Sequence, residues 1–246
     1  MSDAVSPRLA QVLAEAWVAP GVIALRPDYR AVVMVAERLQ GGPSDAASEA
    51  LLVAAEAAAR ARLGDRPAEE EPHVAEWREA FKAFGAKPSR TRNSLEALLR
   101  RVPDGLPRIN RLADIYNAIS IGHGLPLGGE DLDRYQGVVR LVRATGDEPF
   151  DTVANGEAVV ESPDPGEVVW RDDLGVTCRR WNWRQCARTQ LTDATTSAIF
   201  ILDSLGATGE TGLAAAAEAL AADLGQTSPG ARIAWRVLGA SDGASA

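Results

Sequence analysis

The sequence predicts an α/β fold built around a mixed sheet, and three observations carry that prediction. Apolar residues recur at a helical period over 7–17, 44–63, 73–84 and 109–120. From residue 138 onward the texture changes to short apolar runs at 138–142, 157–160, 168–170 and 176–178, punctuated by Gly, Pro and Asp. The two textures do not alternate as a regular βαβ series, so a compact mixed sheet with flanking helices is expected rather than a doubly wound parallel one.

Each element has a local reason. Leu9, Val12, Leu13 and Ala16 give the first helix its stripe, and Pro20-Gly21 ends it. The apolar runs at 22–25 and 31–35 flank Pro27-Asp28, a strand-turn-strand signal. Ser44-Asp45 opens an Ala/Leu/Glu-rich helix that runs to Leu63, and the Pro/Glu-rich stretch 66–72 reads as an exposed loop. Val74, Trp77, Ala80, Phe81 and Phe84 follow at helical spacing, as a core-facing stripe. Asn93 stands where an N-cap would, with Glu96 in the first turn and Arg100 and Arg101 at the far end of a short helix. Residues 109–120 form the next helix and 122–129 a Gly/Pro turn. A strand is expected at 195–202, an Ala-rich helix at 212–224 and a last strand at 231–238, after which the Ser/Gly/Ala end is expected to fray.

Composition narrows the function classes. No run of about 18 apolar residues occurs and residues 1–9 have neither a basic start nor an apolar stretch, which argues against a membrane span or a secretory leader. Cys178 and Cys186 have a spacing that suits neither a zinc knuckle nor a redox pair, so free thiols in a reducing cytoplasm are expected. Phosphate-loop, nucleophile-elbow and H-E-x-x-H motifs are absent, and neither His73 nor His123 has a carboxylate at ligand spacing, so no metal and no cofactor are expected. The net charge is −8, yet residues 78–111 hold nine basic against three acidic side chains and 171–190 hold five against two. An acidic body with two basic segments either presents a local phosphate-binding surface or merely has solvated Arg-rich faces.

Several polar residues stand out against this background. Asn110, Asp114 and Asn117 fall at i, i+4 and i+7, one face of a helix, where they either form a buried network or line a cleft. His123, in the glycine-rich turn, is a candidate general base near neutral pH. In the segment 178–185 arginines and aromatics interleave. As a strand it would put Arg180, Asn182 and Arg184 on one face and Trp181 and Trp183 on the other, a pattern suited to pairing with phosphates and stacking on bases. Arg90, Arg92, Arg100 and Arg108 are the corresponding candidates in the first basic segment. Asp131 and Asp133 read best as turn-forming residues.

The stretch that carries most information runs from Ile109 through Asn110, Asp114, Ile115 and Asn117 to Gly124, Pro126, Asp131, Leu132 and Asp133. It resembles the editing module, the B3/B4 domain, of the bacterial phenylalanyl-tRNA synthetase beta chain, in which an R-P-I-N-N-x-V-D-I-T-N helix leads into G-Q-P-x-H-A-F-D-L-D. Arg90-x-Arg92-Asn93-Ser94-Leu95-Glu96, Gly146-Asp147-Glu148 and Thr192-x-x-Thr195 extend the likeness across about 80–205. The resemblance implies a free-standing editing-type core there, with 1–79 as an N-terminal strand and helix portion packed on it and 206–246 as a C-terminal helix and strand of the same domain. Three positions depart from the family pattern: its pocket Arg, Thr and His are replaced by Pro107 (with Arg108 displaced by one), Tyr116 and Gly128.

What the resemblance implies is a trans-acting hydrolase of misacylated tRNA, specific for an aromatic or related amino acid. It would bind the acceptor end through Arg90, Arg92, Arg100, Arg108, Arg180, Arg184 and Trp181, with no membrane or DNA partner. Asn110, Asn117, Asn182 and His123 are the catalytic candidates, and Asp114 and Asp131 would support the site. A non-catalytic tRNA or RNA binding module, and a binding protein for a free amino acid or other small molecule, are the alternatives.

Overall fold

The computed structural model describes residues 4–239; the end expected to fray lies outside the described residues. The chain opens with α1 (Pro7–Glu15), β1 (Trp17–Val18), α2 (Pro20–Ile23), β2 (Arg30–Glu37), α3 (Ala46–Leu63), α4 (Pro72–Ala83), α5 (Ser94–Leu99) and α6 (Arg111–His123). The strand-rich part follows as β3 (Leu127–Asp131), β4 (Arg140–Arg143), β5 (Phe150–Ala154), β6 (Glu157–Glu161), β7 (Val168–Arg171), β8 (Val176–Arg179), β9 (Arg184–Gln185) and β10 (Ser197–Ser204), closed by α7 (Gly209–Thr227) and β11 (Arg232–Gly239).

The strands form a four-stranded antiparallel sheet in the order β11-β2-β10-β3, a five-stranded sheet in the order β1-β4-β7-β8-β9, and the separate hairpin β5-β6. The five-stranded sheet is mixed, because β1 runs parallel to β4 while its other neighbours are antiparallel. β2 and β10 lie at the centre of the first sheet, which is why both are apolar on both faces. One face, with Val33, Val35, Ile199 and Ile201, packs with α1, α4 and the five-stranded sheet through Leu141, Trp170 and Trp181. The other, with Val32, Met34, Phe200 and Leu202, packs on α6 and α7 through Ile115, Ile119, Leu213 and Leu220. A third core joins α3, α4, α5 and the outer side of α6. The layers are therefore helix, helix, sheet, sheet, and the mixed α/β class read from the sequence is the class observed.

Caps fix the helices that matter to the site. The Asn93 side chain accepts from the Glu96 amide at 2.8 Å, starting α5. Asn110 does the same for Ala113 at 2.9 Å, and Gly124 ends α6 in the left-handed region with φ 70°. Asp45 and Ser48 cap α3 reciprocally.

Four local readings are corrected. Residues 22–25 are not a strand: Pro20 occupies the first turn of α2, where its fixed φ favours helix over the β preference of the following Val and Ile. The 66–72 loop contains a 3-10 turn, Ala68–Glu70, that buries Ala68. The turn expected over 122–129 is shorter, since α6 continues to His123 and pairing with β10 draws Leu127–Asp131 into a strand. Residues 178–185 are not one strand. Arg180 and Trp181 adopt φ of 48° and 67°, and the chain turns back so that Cys178 pairs with Gln185 and Arg179 with Arg184.

Candidate functional site

A cleft of about 280 Å³ opens where the two sheets and two helices meet. Gly128 and Glu130 of β3 and Ile201 and Asp203 of β10 form its inner surface. The β8-β9 hairpin supplies Trp181, Asn182, Arg184 and Gln185 along one side, and α5 and α6 supply Ala97, Leu98, Tyr116 and Asn117 on the other. Arg101 and Arg184 stand in its lining without a carboxylate partner among the described residues, Arg184 touching the Val153 carbonyl at 3.1 Å. Gly128 keeps the inner surface open: a Cβ there would lie 2.7 Å from Gln185 Nε2.

The two carboxylates are the unusual groups. Asp203 accepts from the Tyr29 hydroxyl at 2.6 Å and from Asn182 Nδ2 at 3.2 Å. Glu130 accepts from the Thr189 hydroxyl. Both are 2% exposed and neither forms an ion pair among the described residues. Burial pushes Asp203 up to about 7, against the opposing hydrogen bonds from Tyr29 and Asn182. Burial likewise pushes Glu130 up to about 7, opposed by its hydrogen bond from Thr189. Asn182 Oδ1 is buried beside them without a hydrogen-bond partner among the described residues. Cys178 also lines the cleft, but burial pushes its thiol well up, so it is held protonated.

Of the candidates from the sequence, Asn117, Asn182, Arg184 and Trp181 meet at this cleft. Asn117 is buried and its side chain makes no hydrogen bond among the described residues. Trp181 is fully buried, packed edge-on against Tyr29 and Trp77 at 5.0 and 5.2 Å between ring centroids, which leaves no face for a base to stack on. Asn110 is outside the cleft; besides its capping bond it donates to the Leu191 carbonyl at 3.2 Å. Being an N-cap, it is also outside the helical face it was expected to share with Asp114 and Asn117. Asp114 is buried against α3, accepting from the Ile109 amide at 3.0 Å and the Ser48 hydroxyl at 3.3 Å. Asp131 accepts from the Asp133 amide at 3.0 Å and the Thr195 hydroxyl at 2.8 Å, tying the end of β3 to the loop before β10. His123 ends α6 away from the cleft, its pKa lowered by burial and by the charge of Arg62.

Most candidate phosphate-binding arginines are engaged elsewhere. Arg108 pairs with Glu49 at 2.7 Å and Glu56 at 2.8 Å, so the residue displaced by one from the family's pocket arginine serves α3 instead. Arg92 and Arg100 approach Glu96 at 3.6 and 3.2 Å. Arg180 lies 4.6 Å over the Trp183 ring and 3.5 Å from both Asp164 and Glu167. Arg90 is exposed without a carboxylate partner among the described residues and lines a separate surface hollow with Lys87 and Arg180.

Glu130 and Asp203 are the site residues that sequence reading missed. One signal was available: Gly128-Gly129 ahead of Glu130, since paired glycines in a strand mark a close approach. A Cβ on Gly129 would come within 2.8 Å of Phe200. Among the described residues no group of three or more His, Cys, Asp or Glu side chains is placed to hold a metal, and no helix is long and apolar enough to cross a membrane.

No curated protein matches the sequence. Among solved structures, an N-terminal fragment of the phenylalanyl-tRNA synthetase beta-subunit from Pyrococcus horikoshii is similar, with 11% identity and a TM-score of 0.49 over 89% of this chain. The chain spans about half the length of that fragment, 49%. The sequence model of the B3/4 domain matches residues 76–208, which takes in α5, α6 and every cleft-lining residue described above. That match covers more than half of the chain, and the chain therefore belongs to the B3/4 domain family.

Proposed function

We propose that this protein is a trans-acting hydrolase of misacylated tRNA, taking an aromatic or related aminoacyl group into the cleft with the acceptor end of the tRNA at its rim. The observation that carries this reading is the cleft itself, about 280 Å³ and so near the lower bound of roughly 300 Å³ for ligand pockets. It is sized for one amino acid, lies beside the signature helix, and holds a carboxylate that titrates near neutrality.

Ester hydrolysis needs a base for water, a donor for the carbonyl oxygen and a hold on the leaving group. Glu130, at about 7, is poised between its charged and neutral forms at physiological pH, which matches a general base that takes a proton from water and returns it to the departing ribose oxygen. Asn117, with its amide uncommitted in the cleft, is the donor for the oxyanion that builds on the carbonyl oxygen. Arg101 and Arg184 are the cations free to meet an acceptor-end phosphate. Of the catalytic candidates named from the sequence, this assignment keeps Asn117, and it adds Glu130 as the base.

The test is a deacylation time course on tyrosyl-tRNA(Phe), with phenylalanyl-tRNA(Phe) as control and a small panel of other mischarged tRNAs. Selective release of one amino acid is expected, slowed at least about a hundredfold in Glu130→Gln and in Asn117→Ala. No release with tRNA still bound would replace the hydrolase with a non-catalytic RNA-binding module. That second reading is favoured by Pro107, Tyr116 and Gly128, which stand where the family pattern has Arg, Thr and His. Thermal stabilisation by amino acids without tRNA affinity would instead identify a small-molecule binding protein.

A further inference from the structure

The inner end of the cleft holds a buried carboxylate with no ion pair and a buried amide oxygen with no donor among the described residues. Asp203 is buried with donors from Tyr29 and Asn182 but with no cation, and each carboxylate oxygen has lone-pair capacity left after one hydrogen bond. The same Asn182 amide that donates to Asp203 leaves its Oδ1 buried and unpartnered, on a residue only 7% exposed. A buried amide oxygen without a donor destabilises the fold, so one kept in the lining of an open cleft is a group to be completed from outside. Trp170, Trp181 and Trp183 line the same cleft and shield these groups from bulk water.

We infer that the inner end of the cleft is a seat for a primary ammonium group of the ligand, held by Asp203 and Asn182 Oδ1 and walled by Trp170 and Trp181. The inference rests on the cleft assigned above to the aminoacyl group and names what that group must present: three N–H donors and a positive charge. Two sources offer this chemistry, the α-ammonium of any aminoacyl ester and the side-chain ammonium of a basic amino acid. Arg101 and Arg184 at the rim complement it, since they place an anion-binding end opposite a cation-binding one.

Charge bookkeeping around the seat is favourable. Tyr29 and Tyr116 are raised by burial, Tyr116 to about 12, and Cys178 is raised well up by burial, so near neutral pH the two carboxylates are the groups around the cleft that change charge. A cation arriving at Asp203 favours its ionised form, and binding near pH 7 therefore releases a proton.

The experiment is calorimetric titration of the full chain with three probes: 2-phenylethylamine, its N-acetyl derivative, and Nα-acetyllysinamide. It is run at pH 8, where Asp203 is ionised, and at pH 7 in buffers of different ionisation enthalpy. The expected result is that one or both amines bind, that the N-acetyl derivative binds at least about tenfold more weakly than 2-phenylethylamine, and that Asp203→Asn removes the difference. 2-Phenylethylamine alone points to the α-ammonium, Nα-acetyllysinamide alone to a side-chain ammonium. Proton release at pH 7 in wild type, absent in Asp203→Asn, is a readout that loss of packing would not mimic. Equal affinity for 2-phenylethylamine and its acetyl derivative, or no binding of either amine, overturns the seat. The seat and the hydrolase reading separate cleanly. Amine binding without deacylation leaves the seat and removes the hydrolase, while equal deacylation of N-acetylated and free aminoacyl-tRNA leaves the hydrolase and removes the seat.

Discussion

Two sets of buried carboxylates divide this molecule. On the border of α5 and along β7 and β8 every deeply buried acid has an arginine. Arg78 reaches Glu96 at 2.8 Å, Arg179 holds Glu167 through two contacts of 2.9 Å, and Arg188 grips Asp172 at 2.9 and 3.0 Å. At the cleft, Glu130 and Asp203 are just as buried and have only hydroxyl and amide donors. The first set neutralises its charge inside the chain and is scaffold. The second lines an opening without an ion pair, at a standing cost in stability, and that is the ground for reading it as a candidate site. Most arginines of the two basic segments likewise have an acidic partner.

The largest effect should come from breaking a compensated pair. Arg179→Met keeps the apolar stem but takes both 2.9 Å contacts from Glu167, leaving it the Arg180 guanidinium at 3.5 Å, so a loss of about 2–4 kcal/mol is expected by urea denaturation, somewhat under the usual cost of leaving one buried partner wholly unpaired. A redundant partner gives the contrast: Arg92, 3.6 Å from Glu96, which Arg78 and Arg100 also hold, should lose under about 1 kcal/mol when changed to Ala. If Arg179→Met proves equally mild, the contrast between the two sets does not hold.

Asp203→Asn should move the other way. At pH 8 the wild-type carboxylate is charged, buried and unpaired; asparagine keeps its shape and removes the charge. It still accepts from Tyr29, and a flip of the Asn182 amide lets Asn182 Oδ1 receive the new N–H, with Nδ2 taking the unpartnered place that Oδ1 held, so the gain comes from removing the charge. A gain of about 1–3 kcal/mol is expected at pH 8, with loss of amine binding. A destabilised variant would show that Asp203 is compensated after all.

The pH dependence of wild-type stability follows from the same groups. Asp203 and Glu130 hold their protons to about 7 when folded but release them near their ordinary values of 3.8 and 4.5 when unfolded. The folded state thus binds more protons in that window, and their contribution grows as pH falls from 7 towards 4 and is lost as pH rises through it. His73 opposes this. Its Nε2 accepts from the Trp77 indole and the Leu205 amide, each at 3.0 Å, so the ring proton sits on Nδ1 and a second proton has no place to go. Burial lowers its pKa, the unfolded imidazole charges first, and stability falls as pH drops below 6.5. Chemical denaturation between pH 8 and 5 should therefore show a shallow maximum, and in the Glu130→Gln/Asp203→Asn double variant the gain on acidification should vanish, leaving the loss from His73 and His123.

How much of this was legible in the sequence depends on whether the physics was local. The caps Asn93 and Asn110, the buried run of β2 and the family signature are local patterns, and they gave the fold and the position of the cleft's helix wall. The ion pairs of the arginines were not legible because their partners are distant: Glu167 lies outside the second basic segment, and Arg108 pairs with acids on α3. Asn110 carried two meanings at one position, helix face and N-cap, and the cap won because its side chain completes an otherwise open amide. Glu130 and Asp203 were invisible for a deeper reason. What distinguishes them from Asp114 and Asp131, which are buried without an ion pair too, is a place in the lining of a cleft, which only the packed structure reveals.

Gly128→Ala gives the smallest effect and tests whether the cleft depends on shape as well as charge. Gly128 does not occupy the left-handed region, so the backbone accepts alanine without strain. The new Cβ would meet Gln185 Nε2 at 2.7 Å, at the far end of a flexible side chain whose amide donates to the Gly129 carbonyl at 3.1 Å. Losing that bond costs about 1 kcal/mol or less by thermal denaturation. The displaced amide must go into the cleft, so amine binding should weaken by severalfold, and Gln185→Ala in the same chain should restore it. Gly175→Ala is the control: its Cβ would come 2.3 Å from the Pro149 carbonyl, backbone that cannot step aside, and the damage there should fall on stability. If Gly128→Ala instead costs stability and spares binding, the open strand at β3 serves the packing of the sheet, and charge alone defines the cleft.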